Sequence, residues 1–130
     1  MNDVKRVIKI LVVDDYHDAV EMWAIFLRAL GYDVLTSEDG VEALHMAQTT
    51  MPDIVVLDLE LPGMNGAEVA RRLRASPDTA HIPLIAASGH SGNAELEEAR
   101  AAGFDRILLK PCDPPMLIRE IETLLNPAAT

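Results

Sequence analysis

Four short apolar runs dominate this chain, and each stops on a polar residue. Ile8–Val13 ends at Asp14 and Asp15, Ile54–Leu57 at Asp58, Leu84–Ala87 at Ser88 and Ile107–Leu109 at Lys110. Runs of this kind read as parallel strands buried on both faces. The segments between them carry helical spacing, so strands and helices alternate. Alternation of that sort implies right-handed crossovers and an α/β fold with a parallel sheet. Ligands of open α/β sheets sit outside the carboxyl ends of the strands. Three carboxylates, a hydroxyl and an ammonium therefore gather at one sheet edge, a set suited to a divalent cation and a phosphoryl group.

Five strand-then-helix units are legible. The first strand covers about Val7 to Val13, and its helix runs from His17 or Asp18 to Leu30. Gly31 follows as a helix C-cap glycine. Tyr32 to Thr36 forms a second strand. Val41, Leu44 and Ala47 share one face of the second helix, which ends before Pro52. Asp53 to Leu57 is the third strand, and Leu61-Pro62-Gly63-Met64-Asn65-Gly66 is a turn-rich loop. Val69, Ala70 and Leu73 mark the third helix, and Pro83 opens the fourth strand. Ser88 to Asn93 is loop, followed by a weak Glu- and Ala-rich helix to about Ala102. Gly103 ends that helix and the fifth strand follows. Pro114 and Pro115 start the last helix, where proline is tolerated. Its Leu117, Ile118, Ile121, Leu124 and Leu125 repeat at helical spacing and face the sheet. Residues 1–126 form one domain, with 127–130 a disordered tail.

The bulk numbers narrow the function classes. A chain of 130 residues fits a single domain able to bury its own core. A net charge of -10 argues against direct nucleic-acid binding, which needs a basic footprint. Cys112 is the only cysteine, which excludes an intrachain disulfide and suits the cytoplasm. No apolar run approaches a membrane span, and residues 1–6 lack a signal-peptide core.

Two carboxylates roughly 4 Å apart repel by roughly 4 kcal/mol at an effective dielectric of about 20. A site holding three must protonate one or recruit a cation. Asp14, Asp15 and Asp58 against Lys110 leave a formal charge that one Mg²⁺ would cancel. Mg²⁺ takes oxygen ligands, keeps several waters and binds through carboxylates plus phosphate oxygens. Asp58 is the best nucleophile, since a carboxylate can accept a phosphoryl group as an aspartyl phosphate. Lys110 and the Ser88 hydroxyl would then neutralise the phosphoryl oxygens.

Leu11-Val12-Val13-Asp14-Asp15, Leu57-Asp58-Leu59, Leu61-Pro62-Gly63-Met64-Asn65-Gly66, Ala87-Ser88-Gly89 and Leu109-Lys110-Pro111 occur in a specific order and spacing. Over nearly its whole length the chain resembles the receiver domain of two-component response regulators. The resemblance implies a flavodoxin-like, doubly wound (βα)5 fold with strand order 2-1-3-4-5. It implies that Asp58 is the phosphoacceptor, served by a sensor histidine kinase or a histidine phosphotransfer protein. Asp15 and Asp58 would ligate Mg²⁺ directly, Asp14 largely through water, and Glu60 through its backbone carbonyl. Ser88, Gly89 and Lys110 would bind the phosphoryl oxygens. A cis peptide is implied at Lys110-Pro111. The signal would pass to a downstream protein or output domain, and a homodimer through the fourth helix, fifth strand and fifth helix is compatible with the family.

The chain departs from the family pattern in two places. Ser88 stands where threonine is frequent. Ile107 occupies the position of an aromatic switch residue, so an output that rotates a ring is not available. Glu60 and His90 each lie two residues beyond a site residue, on the expected path of attacking water, and are read as tuning the acyl-phosphate lifetime.

Competing readings are weaker. An aspartyl-phosphate phosphatase usually has its nucleophile after the first strand, with a second Asp two residues on; here Glu60 stands there. An unphosphorylated interaction domain would not need every chemical position filled. A flavin protein of similar topology needs a phosphate-cradling loop, where this chain has Asp14-Asp15-Tyr16-His17. Gly89-His90-Ser91-Gly92 lacks the last glycine of a hydrolase elbow. Trp23 and Phe26 read as core, Cys112 as a small buried residue, Arg71-Arg72-Leu73-Arg74 as a solvated helix face, and the four histidines as surface residues.

Overall fold

Residues 6–89 and 92–126 are described by a computed structural model. Strands and helices alternate through it: β1 Lys9–Val13, α1 His17–Ala29, β2 Asp33–Ser37, α2 Gly40–Thr50, β3 Ile54–Asp58, α3 Gly66–Ala75, β4 Leu84–Ser88, α4 Asn93–Ala102, β5 Arg106–Leu109 and α5 Pro114–Leu125. The strands form one sheet in the order β2-β1-β3-β4-β5, all parallel. This is the doubly wound, flavodoxin-like arrangement implied by the sequence.

Side chains alternate across a strand with period two, so each inner strand feeds two cores. Leu11 and Val13 of β1 join Ala43, Ala47, Val69, Leu73 and Ala99 from α2, α3 and α4. Ile10 and Val12 join Ala24, Leu27, Leu117 and Ile121 from α1 and α5. Continuous apolar runs are needed because neither face meets water. The register brings the strand ends level. Val13 stands between Ser37 and Leu57, Asp58 beside Ala87, and Ser88 beside Leu109.

Local chemistry sets the helix starts. Asp39, Asn65 and Asp113 each accept a bond from the amide three residues on, as N-caps do. α4 is the least anchored helix. It buries only Ala99 and Ala102, and its Gly92 cap offers no side chain.

Several expectations shift. Tyr32 belongs to the exit of α1, because its N–H bonds back to the Leu27 carbonyl. β2 therefore starts at Asp33 and runs to Ser37. Asp58 and Ser88 lie inside their strands as last residues, rather than beyond them. Val41 is not on the buried face of α2; it is 56% exposed beside the Gly63 turn. Phe26 is 45% exposed, since Val20, Ala24 and Leu27 define the buried stripe of α1 and Phe26 lies off it. Trp23 does pack against the second core. Cys112 is only half-buried, and desolvation pushes its thiol up. Arg71 and Arg72 are solvated, but Arg74 is an anchor. Its guanidinium donates to the carbonyls of Gly103, Ala80 and Ile82 and to Asp105. Residues 127–130, expected as a tail, lie outside the described residues.

Candidate functional site

The level strand ends place the chemical groups. Asp14 follows β1, Asp58 ends β3, Ser88 ends β4 and Lys110 follows β5. Asp14, Asp15 and Asp58 each offer a carboxylate oxygen, and these oxygens lie within 4.8 Å of one another. Asp14 is 3% and Asp58 5% exposed, while Asp15 is open to solvent. Lys110 Nζ donates to Asp14 Oδ2 at 2.8 Å and to Asp58 Oδ2 at 3.0 Å. Its backbone is held by a 2.7 Å bond from its N–H to the Ser88 carbonyl, and the Lys110-Pro111 peptide is cis.

Backbone amides orient the two buried carboxylates. The Tyr16 N–H donates to Asp14 Oδ1 at 2.9 Å, and the Glu60 N–H to Asp58 Oδ1 at 3.0 Å. Burial nonetheless lifts the Asp58 carboxyl above its ordinary range, against the Glu60 amide and Lys110, which both favour the anion. Burial also works against the Lys110 ammonium. The bonds to Asp14 and Asp58 outweigh that and hold its pKa above the ordinary lysine value.

Three carboxylates and one ammonium leave two formal negative charges. The donor set is all oxygen, which is what Mg²⁺ prefers. Ligands of an octahedral ion with bonds of about 2.1 Å lie about 3 to 4 Å apart, so small side-chain rotations close the set. The residues fit the ion.

A cleft of about 560 Å³ opens beside this cluster, lined by Asp15, Glu60, Asn65, Ser88, Glu95 and Glu98 among others. Ser88 is buried and Glu60 exposed at its wall. Gly89 follows Ser88 at the surface. His90 lies outside the described residues. Ile107 is half-buried, pairs with Ala86 and packs against the first core.

Reasoning from side-chain chemistry missed Gly66, the first residue of α3. A Cβ there would run into the Asp58 carbonyl and come within 2.9 Å of Leu59 Cα. Its N–H donates to the Leu59 carbonyl at 2.9 Å. A glycine straight after an Asn cap was the available signal.

Comparison with known proteins agrees with this geometry. The response regulator receiver domain family matches residues 10–122. Response regulator PleD of Caulobacter vibrioides is 38% identical over 116 residues, covering 89% of this chain and 26% of PleD. The chain thus spans about a quarter of that relative. Chemotaxis response regulator CheY4 of Vibrio cholerae superposes with a TM-score of 0.87 at 29% identity, over 92% of this chain and 100% of that one. The receiver domain of sensor histidine kinase PA1611 from Pseudomonas aeruginosa PAO1 superposes with a TM-score of 0.86 at 27% identity, over 93% and 99%. That structure has a magnesium ion coordinated in its active-site cleft.

Proposed function

The chain belongs to the receiver-domain family of response regulators, which act in two-component signalling, and on that premise we propose that Asp58 is its phosphoacceptor. The observation that carries this is the placing of Asp58 between two other carboxylates and one ammonium, at 5% exposure. A phosphohistidine on a sensor kinase or phosphotransfer protein is the donor. An Asp58 oxygen forms the new O–P bond as the P–N bond breaks. The leaving imidazole nitrogen keeps the bonding pair and takes a proton from solvent.

Asp15, Asp58 and the Glu60 carbonyl would hold Mg²⁺ directly, and Asp14 largely through water. When bound, the ion supplies positive charge to an equatorial phosphoryl oxygen. Lys110 already lies within bonding reach of Asp58 and has a third donor to offer a phosphoryl oxygen. The Ser88 hydroxyl and the Gly89 N–H serve the remaining oxygen. Glu60 and His90, each two residues along the chain from a site residue, tune the lifetime of the phosphorylated state. With Ile107 offering no ring to rotate, the output runs through the loop after Ser88 and the weakly anchored α4. It reaches a downstream protein or output domain.

Incubation with Mg²⁺ and acetyl phosphate should add one phosphoryl group by intact mass, and beryllofluoride should shift the amide spectrum around Asp58. A phosphoryl label that maps to another residue would sink the assignment.

A further inference from the structure

Gly40, the first residue of α2, is buried and belongs to neither strand that carries the buried carboxylates. Its φ is not among the positive ones, so the backbone does not require glycine. Space does. A Cβ on Gly40 would collide with the Met64 carbonyl, in the loop between β3 and α3. The Gly40 N–H donates to the Pro62 carbonyl of the same loop at 3.1 Å, and Met64 N–H bonds that carbonyl at 2.9 Å. The start of α2 is thus a seat for the loop that leaves Asp58 and passes through Glu60.

The same corner also grips the other half of the site. Asp14 N–H donates to the Ser37 carbonyl at 3.2 Å. The buried Ser37 hydroxyl reaches Glu42 Oε1 at 2.7 Å and the Asp39 carbonyl at 3.1 Å. Asp39 in turn caps α2 by accepting from the Glu42 N–H at 2.7 Å. A continuous set of bonds therefore runs from Asp14 through Ser37 and Gly40 to the loop after Asp58.

We propose that the start of α2, centred on Gly40 and Ser37, is a positioning element that fixes the spacing between Asp14 and the Asp58 loop, and so sets the site's affinity for a divalent cation. This rests on the reading of the carboxylate cluster as a cation site. Groups that hold a metal's ligands in place commonly govern its affinity.

The test uses the 130-residue chain with Gly40→Ala, Ser37→Ala and a control, Ala47→Gly, which weakens the buried middle of α2 far from the loop. Mg²⁺ titrations are followed by amide NMR, alongside the metal-free shifts of Glu60 and Gly66 and thermal melts. Gly40→Ala should weaken Mg²⁺ binding about tenfold and Ser37→Ala about threefold, both moving the metal-free Glu60 and Gly66 amides. Ala47→Gly should lower Tm while leaving both readouts at the parental values. A folded Gly40→Ala protein that binds Mg²⁺ within about twofold of the parent overturns the proposal. If Gly40→Ala does not fold, Ser37→Ala decides, and parental affinity with parental amide shifts overturns it equally. An Ala47→Gly protein that loses affinity as much as Gly40→Ala would reduce the effect to general instability. Failure of the parent itself to bind Mg²⁺ would instead defeat the cation-site reading, with the metal-free shifts still reporting on the seat.

Discussion

At the amino ends of the strands, Asp53 accepts from the Lys9 backbone N–H at 2.8 Å and pairs with Arg6 at 2.7 Å. Asp105 does the same for the Leu84 N–H at 2.8 Å and Arg74 at 3.0 Å. Asp53 and Asp105 each have their own arginine and their own strand start, so the charge of each is balanced within its pair. At the carboxyl ends, the carboxylates of Asp14, Asp15 and Asp58 lie together, and the Lys110 ammonium bonds two of them, Asp14 and Asp58. The two ends use the same residue types at similar positions. One is complete as folded and ties strands to loops; the other is short of positive charge, as a cation site would be.

This contrast can be broken in several ways. The largest effect belongs to Asp58→Asn, which should abolish phosphoryl uptake from acetyl phosphate entirely by intact mass. Next, Arg74→Ala should lose about 3 kcal/mol in urea melts, because it strips partners from three carbonyls and Asp105. That loss should be the same with and without Mg²⁺. Lys110→Ala should cost about 2 kcal/mol in metal-free protein, since it leaves Asp14 and Asp58 facing each other, and Mg²⁺ should restore much of it. Equal Mg²⁺ responses of the two variants would erase the distinction between the ends.

A smaller effect follows from pH. The folded Asp58 carboxyl is raised by burial, so the folded state binds more protons than the unfolded one from the ordinary aspartate range upward. Stability therefore falls as pH rises through that window. Metal-free Asp58→Asn should melt a few degrees above the parent at neutral pH, with the gain fading as pH falls from the raised pKa to the ordinary aspartate range. The smallest effect lies at the surface. The Glu38 carboxylate, at 2.8 Å, raises the pKa of His17. Any stabilisation from this exposed pair is present below the ordinary histidine pKa and disappears as pH rises through the raised one. Glu38→Gln should move the His17 NMR titration down towards the ordinary midpoint.

Much of this was legible in advance because the physics is local. Ile10–Val13 and Ile54–Leu57 are apolar without interruption, which only a strand covered on both faces needs. Pro114 announces a helix start through chemistry confined to one turn. The errors fell where a residue's surroundings come from distant chain. Val41 fits the apolar period of α2 yet lies over a turn with no core above it. Phe26 has the composition of a core residue on a helix whose buried stripe is narrow. Arg74 looks like its solvated neighbours Arg71 and Arg72, but it faces the carbonyls of Ala80, Ile82 and Gly103. The glycines at 40 and 66 answer to backbone atoms that only the fold brings near.

By itself the sequence determined the alternation of strands and helices and the identity of the groups at the strand ends, because both follow from side-chain chemistry within a few residues. Only the tertiary structure decided how close those groups come and which backbone atoms hold them. Register, crossover and loop contact join residues as far apart as Asp14 and Lys110, and no local preference encodes a distance between them.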